Sequence, residues 1–350
     1  MQNGFDKLNQ PLSSSLSLNG QKYLYFGGTA YLGIPQNKEF INLYLKGIEL
    51  FGLNNGTSRG NNVQLGIYNE AEAFAAHKFG AEAALITSSG YLAAQLTVTT
   101  FAKKREVRYA PDTHPALWID EKPAQQQTFE QWSSEIVKEI NRSSATSWLL
   151  LSNSVNNLFP EIYSFDFISN ISPDKDVILI IDDSHGIGMI NGGTGVLSAI
   201  SSQGNVAVVV VASMAKALGL DAGIVLGSSK SINTLKLGNE FYGASPPSAA
   251  GLYAFMQAGP IYKSAYLKLQ QNIGTFVENV KNLSDWRAVE HFPVFLSAQA
   301  GIEKHLMQEK ILISSFPYPD KDGAPLNRVV ISSWHDDADI LKLVEALANK

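Results

Sequence analysis

Two unbroken apolar runs constrain this chain most. Val177-Ile178-Leu179-Ile180-Ile181 and Val206-Ala207-Val208-Val209-Val210-Val211 are mostly β-branched. Runs of this kind read as strands buried on both faces, the condition of a parallel sheet covered by helices. Each run ends in chemistry. The first leads into Asp182-Asp183-Ser184-His185-Gly186-Ile187-Gly188, the second into Ser213-Met214-Ala215-Lys216-Ala217-Leu218-Gly219. Open α/β sheets bind ligands at the carboxyl ends of their strands. An acid, a histidine and a lysine delivered there are the parts a pyridoxal phosphate enzyme needs. The amine forms a Schiff base with the aldehyde, and the carboxylate pairs with the pyridinium nitrogen.

The rest of the chain supplies more of the same sheet. Ala83–Thr87, Val107–Ala110, Trp148–Ser152 and Ala222–Gly227 read as further strands, alternating with helices or loops. That alternation predicts a doubly wound, mostly parallel α/β sheet. Apolar spacing predicts helices over Lys38–Phe51 and Ile67–Phe79, with Gly80 ending the second. Tyr23 begins a short strand that breaks at Gly33-Ile34-Pro35, and Gly52–Gly66 has loop composition. After Thr87 comes Ser88-Ser89-Gly90-Tyr91 and then a helix over Leu92–Thr99. A strand, a Ser/Gly turn and a helix start can cradle a phosphate, because free N–H groups and the helix dipole face the anion. Many such turns hold nothing. A long helical stretch, Ala249–Leu283, is interrupted near Gly259-Pro260. Strands at Phe292–Leu296, Ile311–Phe316 and Val329–Ser332 and a helix at Asp336–Ala348 then suggest a smaller α+β domain.

Size and composition narrow the function. At 350 residues the chain has room for one large domain and a smaller one. Its 45% apolar and 17% charged content supports a large core. A net charge of −5 argues against nucleic-acid binding. There is no cysteine, so disulfides, thiolate nucleophiles and zinc–thiolate sites are excluded. Met1–Ser15 lacks the apolar stretch of a signal peptide, and no run is long enough for a membrane span. A cytoplasmic protein is expected.

Each candidate residue also has an ordinary reading. Lys216 after a buried strand could be a solvated helix residue; its small neighbours Ser213, Ala215 and Ala217 instead leave room for a cofactor. Asp182 could be a helix N-cap. His185 and His114 could be plain turn or loop histidines, or could bond a ring hydroxyl and stack on a ring face, respectively.

The motifs together resemble the α-oxoamine synthases, a family of fold-type-I pyridoxal phosphate enzymes. Asp182-x-x-His185-Gly186-x-Gly188, with Gly192, Gly193 and Gly195 beyond, is similar to the family's Asp-x-x-His-Gly-x-Gly. Ser213-x-x-Lys216-x-x-Gly219 is similar to its Ser/Thr-x-x-Lys-x-x-Gly. Tyr31-Leu32-Gly33, Ser89-Gly90-Tyr91, Thr113-His114-Pro115-Ala116, Ser245-Pro246-Pro247 and Arg328-Val329-Val330-Ile331 fit in order and spacing. The chain departs from the family at Thr29-Ala30, usually Asn-Asp, and at Asn153, usually glutamate.

The resemblance implies a seven-stranded, mostly parallel large domain over residues 51–247. It also implies an N-terminal segment, 1–50, packing with a small domain within 248–350. Lys216 would hold the cofactor and move protons, Asp182 would pair with the ring nitrogen, His185 with the ring oxygen, and His114 would stack. Ser89, Gly90, Tyr91 and Ser213 would hold the phosphate, joined by Ser245 from a partner subunit of a homodimer. Arg328 and Asn153 would face the substrate. The implied reaction condenses an amino acid with an acyl-CoA thioester and releases carbon dioxide. An aminotransferase, decarboxylase or lyase on the same fold is the alternative, and a catalytically idle cofactor binder is a third.

Overall fold

A computed structural model describes residues 4–120, 123, 127–201, 203–317 and 322–349. The chain forms two units. The larger comprises Asn42–Asn156 and Ile162–Ala258; the smaller comprises Met1–Ile41, Asn157–Glu161 and Gly259–Lys350.

The larger unit is built on a sheet whose strands run, edge to edge, Ala83–Thr87, Gly223–Gly227, Val206–Ser213, Asp176–Asp182, Ser147–Asn153 and Glu106–Tyr109. The last four are mutually parallel, and Gly223–Gly227 is antiparallel to both its neighbours. Five of the six strands therefore point the same way. The sheet has six strands among the described residues, not seven. Six is also the number of apolar runs in the sequence; the seventh came from the family resemblance alone.

Period-two alternation sorts the side chains of each strand to two faces. Leu149, Leu151, Ile178, Ile180, Val209 and Val211 share one buried cluster with Ala93, Ala94 and Leu96 of the helix Gly90–Phe101. A helix over Phe129–Arg142, not anticipated above, buries Phe129, Trp132, Ile136 and Ile140. Its start is fixed by a reciprocal cap between Thr128 and Gln131. Phe129 also stacks on Tyr163 at 4.0 Å between ring centroids.

The smaller unit has its own six-stranded sheet, in the order Ser15–Leu18, Gln21–Phe26, Ile311–Pro317, Pro325–Val330, Val294–Ser297, Trp286–Ala288. Among the described residues, only the Gln21–Phe26 and Ile311–Pro317 pair of this sheet is parallel. The helix Gly259–Asn279 starts at the predicted break, after Ala249–Gln257 ends in the larger unit. Asn272 on this helix donates to the carbonyls of Ser332 and His335, both at 2.9 Å. His335 receives the Ser332 N–H at Nδ1, lies 2.9 Å from the Tyr25 carbonyl through Nε2, and stacks on Phe26. Burial pushes its pKa down to about 4, so it is a neutral structural imidazole. Among the described residues, no helix is long and apolar enough to cross a membrane.

Candidate active site

The five co-directed strands of the larger unit end at Thr87, Tyr109, Asn153, Asp182 and Ser213. One sheet edge therefore carries the Ser89-Gly90-Tyr91 turn, His114, Asn153, Asp182–His185 and Ser213–Lys216. This is the edge at which a ligand is expected in an open α/β sheet.

Lys216 and His185 meet there, with Nζ and Nε2 3.0 Å apart. Burial lowers the Lys216 pKa, opposed in part by the negative charge of Asp182. A partly buried amine beside an imidazole is easier to obtain in its neutral, nucleophilic form. Asp182 is buried at the last position of its strand and accepts the Ser184 N–H at 2.9 Å. Its Oδ2 lies 3.9 Å from Nδ1 of His114. That nitrogen accepts the Ala116 N–H at 3.1 Å, so the neutral ring carries its proton on Nε2. Burial lowers the His114 pKa, Asp182 raises it and Lys216 lowers it again. His114 is therefore a neutral ring, and its side chain is 54% exposed and open to a flat partner.

The Ser89 turn is drawn tightly against the lysine strand. Ser89 caps the helix Gly90–Phe101 by accepting the Leu92 N–H at 3.1 Å. The N–H groups of Gly90 and Tyr91, in the same first turn, have no acceptor within the helix. A Cβ on Gly90 would lie 2.6 Å from both Cα and Cβ of Ser213, so only glycine allows this approach. On the other side, Gly223 lies against the Ser89 carbonyl so closely that a Cβ there would overlap it.

Ser184 and Asp183 were not singled out above, and both organise the site. The Ser184 hydroxyl accepts the Ser213 N–H at 2.8 Å, tying the Asp182 loop to the lysine loop. Asp183 is 1% exposed. Its Oδ2 accepts the Val196 N–H at 2.9 Å, and burial pushes its pKa up to about 7. A Cβ on Gly186 or Gly195 would overlap the Asp183 carboxylate. These two glycines of the motif therefore make room for a buried acid. Two adjacent aspartates look alike in a sequence; the only local sign of the second one's burial is the glycine spacing that follows it.

The other expected residues are placed as follows. Asn153, expected to face the substrate, instead directs its amide to protein backbone. It accepts the His114 N–H at 3.0 Å and donates to the Asp112 carbonyl at 2.7 Å. Ser245 lies exposed between the helices Asn239–Tyr242 and Ala249–Gln257. Arg328 belongs to the smaller unit. There it is buried, donates to the Asn157 carbonyl at 2.8 Å, and lies over the Phe316 ring at 5.0 Å. Its Nε is buried without a protein partner.

The donor set fits pyridoxal phosphate: an amine with lowered pKa, a buried carboxylate, an open imidazole face, and two helix-start N–H groups for an anion. Fold and site together define a fold-type-I pyridoxal phosphate-dependent transferase. The family model for aminotransferase class I and II matches residues 30–347, and the chain belongs to that family. Among its relatives, a putative 8-amino-7-oxononanoate synthase of Thermodesulfovibrio yellowstonii is 25% identical over 346 residues, 95% of this chain and 89% of that one. One from Methanococcus aeolicus is 26% identical over 357 residues, 96% and 92% of the two chains. Among solved structures, serine palmitoyltransferase from S. paucimobilis with bound PLP–myriocin aligns with a TM-score of 0.80 at 17% identity, over 97% of this chain and 90% of that one. The 8-amino-7-oxononanoate synthase of Francisella tularensis aligns at 0.72 and 19% identity, over 93% and 97%.

Proposed function

We infer that the chain joins an amino acid to an acyl thioester at the Lys216 site, releasing carbon dioxide and the free thiol. The observation that carries this reading is the Lys216–His185 contact, set within the field of Asp182 on the edge that also holds the Ser89–Tyr91 turn. The relatives named putative 8-amino-7-oxononanoate synthase, aligned over 95% and 96% of this chain, support the acyl-transfer class.

Bound pyridoxal phosphate supplies an electron sink for negative charge at the substrate α-carbon. The chain's own residues do the rest. Lys216 is the amine that would hold the cofactor's aldehyde carbon, and its free form would serve as a base for the substrate α-proton. His185, 3.0 Å from that amine, can share its proton. Asp182 would keep a proton on the ring nitrogen by charge pairing. His114, a neutral imidazole, would pack against the ring. The N–H groups of Gly90 and Tyr91 and the Ser213 hydroxyl would hold the phosphate. Arg328 of the smaller unit has the chemistry for an amino-acid carboxylate, a planar guanidinium with an unpartnered donor. A homodimer in which Ser245 reaches the partner's phosphate, and a cytoplasmic location, belong to the same proposal.

The test is thiol release from acyl-CoA by purified protein loaded with pyridoxal phosphate, across a panel of amino acids. Release that depends on one amino acid supports the proposal. Keto-acid formation without any thioester would instead support an aminotransferase, a reading favoured by the departure at Asn153.

A further inference from the structure

The turn that presents His114 is an unusual piece of backbone. Asp112 has φ +53°, in the left-handed region that non-glycine residues rarely occupy and that aspartate tolerates better than most. It is also exposed, so packing does not hold it. Hydrogen bonds do. Asn153 Oδ1 accepts the His114 N–H at 3.0 Å, and Asn153 Nδ2 donates to the Asp112 carbonyl at 2.7 Å. Asn156 adds a third bond, from its Nδ2 to Asp112 Oδ2 at 2.8 Å. The Trp118 indole closes the far side by donating to the Thr113 carbonyl at 2.8 Å.

Asn153 is itself fixed. It is 9% exposed and sits in register opposite Asp182 on the neighbouring strand. One rigid side chain thus references the His114 turn to the strand that carries Asp182, and His114 Nδ1 lies 3.9 Å from Asp182 Oδ2. The task requires an amide. An acceptor for an N–H and a donor for a carbonyl must stand side by side on one short side chain. A carboxylate would set two oxygens against each other at the Asp112 carbonyl.

We propose that Asn153 is a positioning residue whose carboxamide clamps the Asp112–Thr113–His114 turn from both sides and so fixes the His114 ring at the cofactor edge. This rests on the Lys216 site being the pyridoxal phosphate site. It assigns Asn153 to the cofactor face of the reaction, acting through His114.

The experiment is a double-mutant cycle on cofactor affinity, read by visible absorbance and tryptophan quenching with no substrate present. The proteins are wild type, Asn153→Ala, His114→Ala and the double variant, with Asn153→Asp replacing Asn153→Ala throughout if that variant does not fold. Each single change is expected to weaken pyridoxal phosphate binding by about three- to tenfold, the scale of a lost ring contact. Because Asn153 acts through His114, the double variant is expected to bind within about twofold of His114→Ala alone. An asparagine with a general structural role would weaken binding equally in both backgrounds, and that additive result overturns the proposal. So does an Asn153 variant with wild-type affinity. Failure of the wild-type protein itself to bind the cofactor would instead bring down the Lys216 reading beneath it.

Discussion

Gly90→Ala is the sharpest probe of the phosphate turn. The added Cβ would lie 2.6 Å from Cα and Cβ of Ser213 and 2.9 Å from its nitrogen. Ordinary contact begins at 3.4 Å, so the two segments must part by roughly 0.8 Å. Ser213 cannot yield easily. It pairs with Gly223, and its N–H is bonded to Ser184. The helix start must therefore move, at a cost of about 1–3 kcal/mol in stability. The same movement takes the Gly90 and Tyr91 N–H groups off the phosphate. A hydrogen bond to a charged group is worth about 1.5–3 kcal/mol, so losing one weakens cofactor binding by about 10- to 150-fold. Titration of the cofactor-free protein with pyridoxal phosphate measures this, and thermal unfolding of the same sample measures the stability change. Gly204→Ala is the control, since nothing lies within 4 Å of its Cβ. A Gly90→Ala protein with wild-type affinity would refute the assignment of this turn to the phosphate.

Two further outcomes follow from buried acids. Glu72 is buried and accepts Arg59 and Lys236, both at 2.7 Å, and the Ile86 N–H at 3.1 Å. Glu72→Ala leaves the Arg59 guanidinium, 8% exposed, without its counter-charge. It should cost about 3–5 kcal/mol in urea unfolding; a loss below about 1 kcal/mol would contradict a structural role for this ion cluster. Asp183 has a folded pKa near 7 against 3.8 for the free side chain. Between those values the unfolded chain has released the proton and the folded chain retains it. This group's contribution to stability therefore falls as pH rises, by about 1.4 kcal/mol per unit, and levels off above the folded value. Asp183→Asn removes that slope, so the variant should gain on wild type between pH 4 and pH 7. A constant difference across that range would show that Asp183 is ionised in the folded protein.

Much of this architecture was legible because burial leaves a strong trace in composition. Runs such as Val177–Ile181 and Trp148–Leu151 are apolar throughout since helices or loops cover both faces, and each became part of a sheet strand. The Gly259-Pro260 break marked a helix boundary. What escaped notice had a weaker or directionless signal. Ser15–Leu18 alternates serine and leucine over only four residues. The helix Phe129–Arg142 did carry a readable pattern in Phe129, Trp132, Ile136 and Ile140 and in its Thr128–Gln131 cap. The antiparallel direction of Gly223–Gly227 cannot be read from its residues, because an apolar run has no polarity. Within the site, residues whose role is chemical announced themselves by motif. Asp183, Ser184 and the amide of Asn153 act by holding other groups, and their partners come from distant segments such as Val196, Ser213 and Asp112.

The proposed function requires that one amine, Lys216, capture the cofactor. Reduction of the loaded protein with borohydride, followed by peptide mapping, locates that bond directly. A phosphopyridoxyl group is expected on Lys216 and is expected to be lost in Lys216→Ala; the label on any other lysine, or its persistence in that variant, would overturn the proposed function.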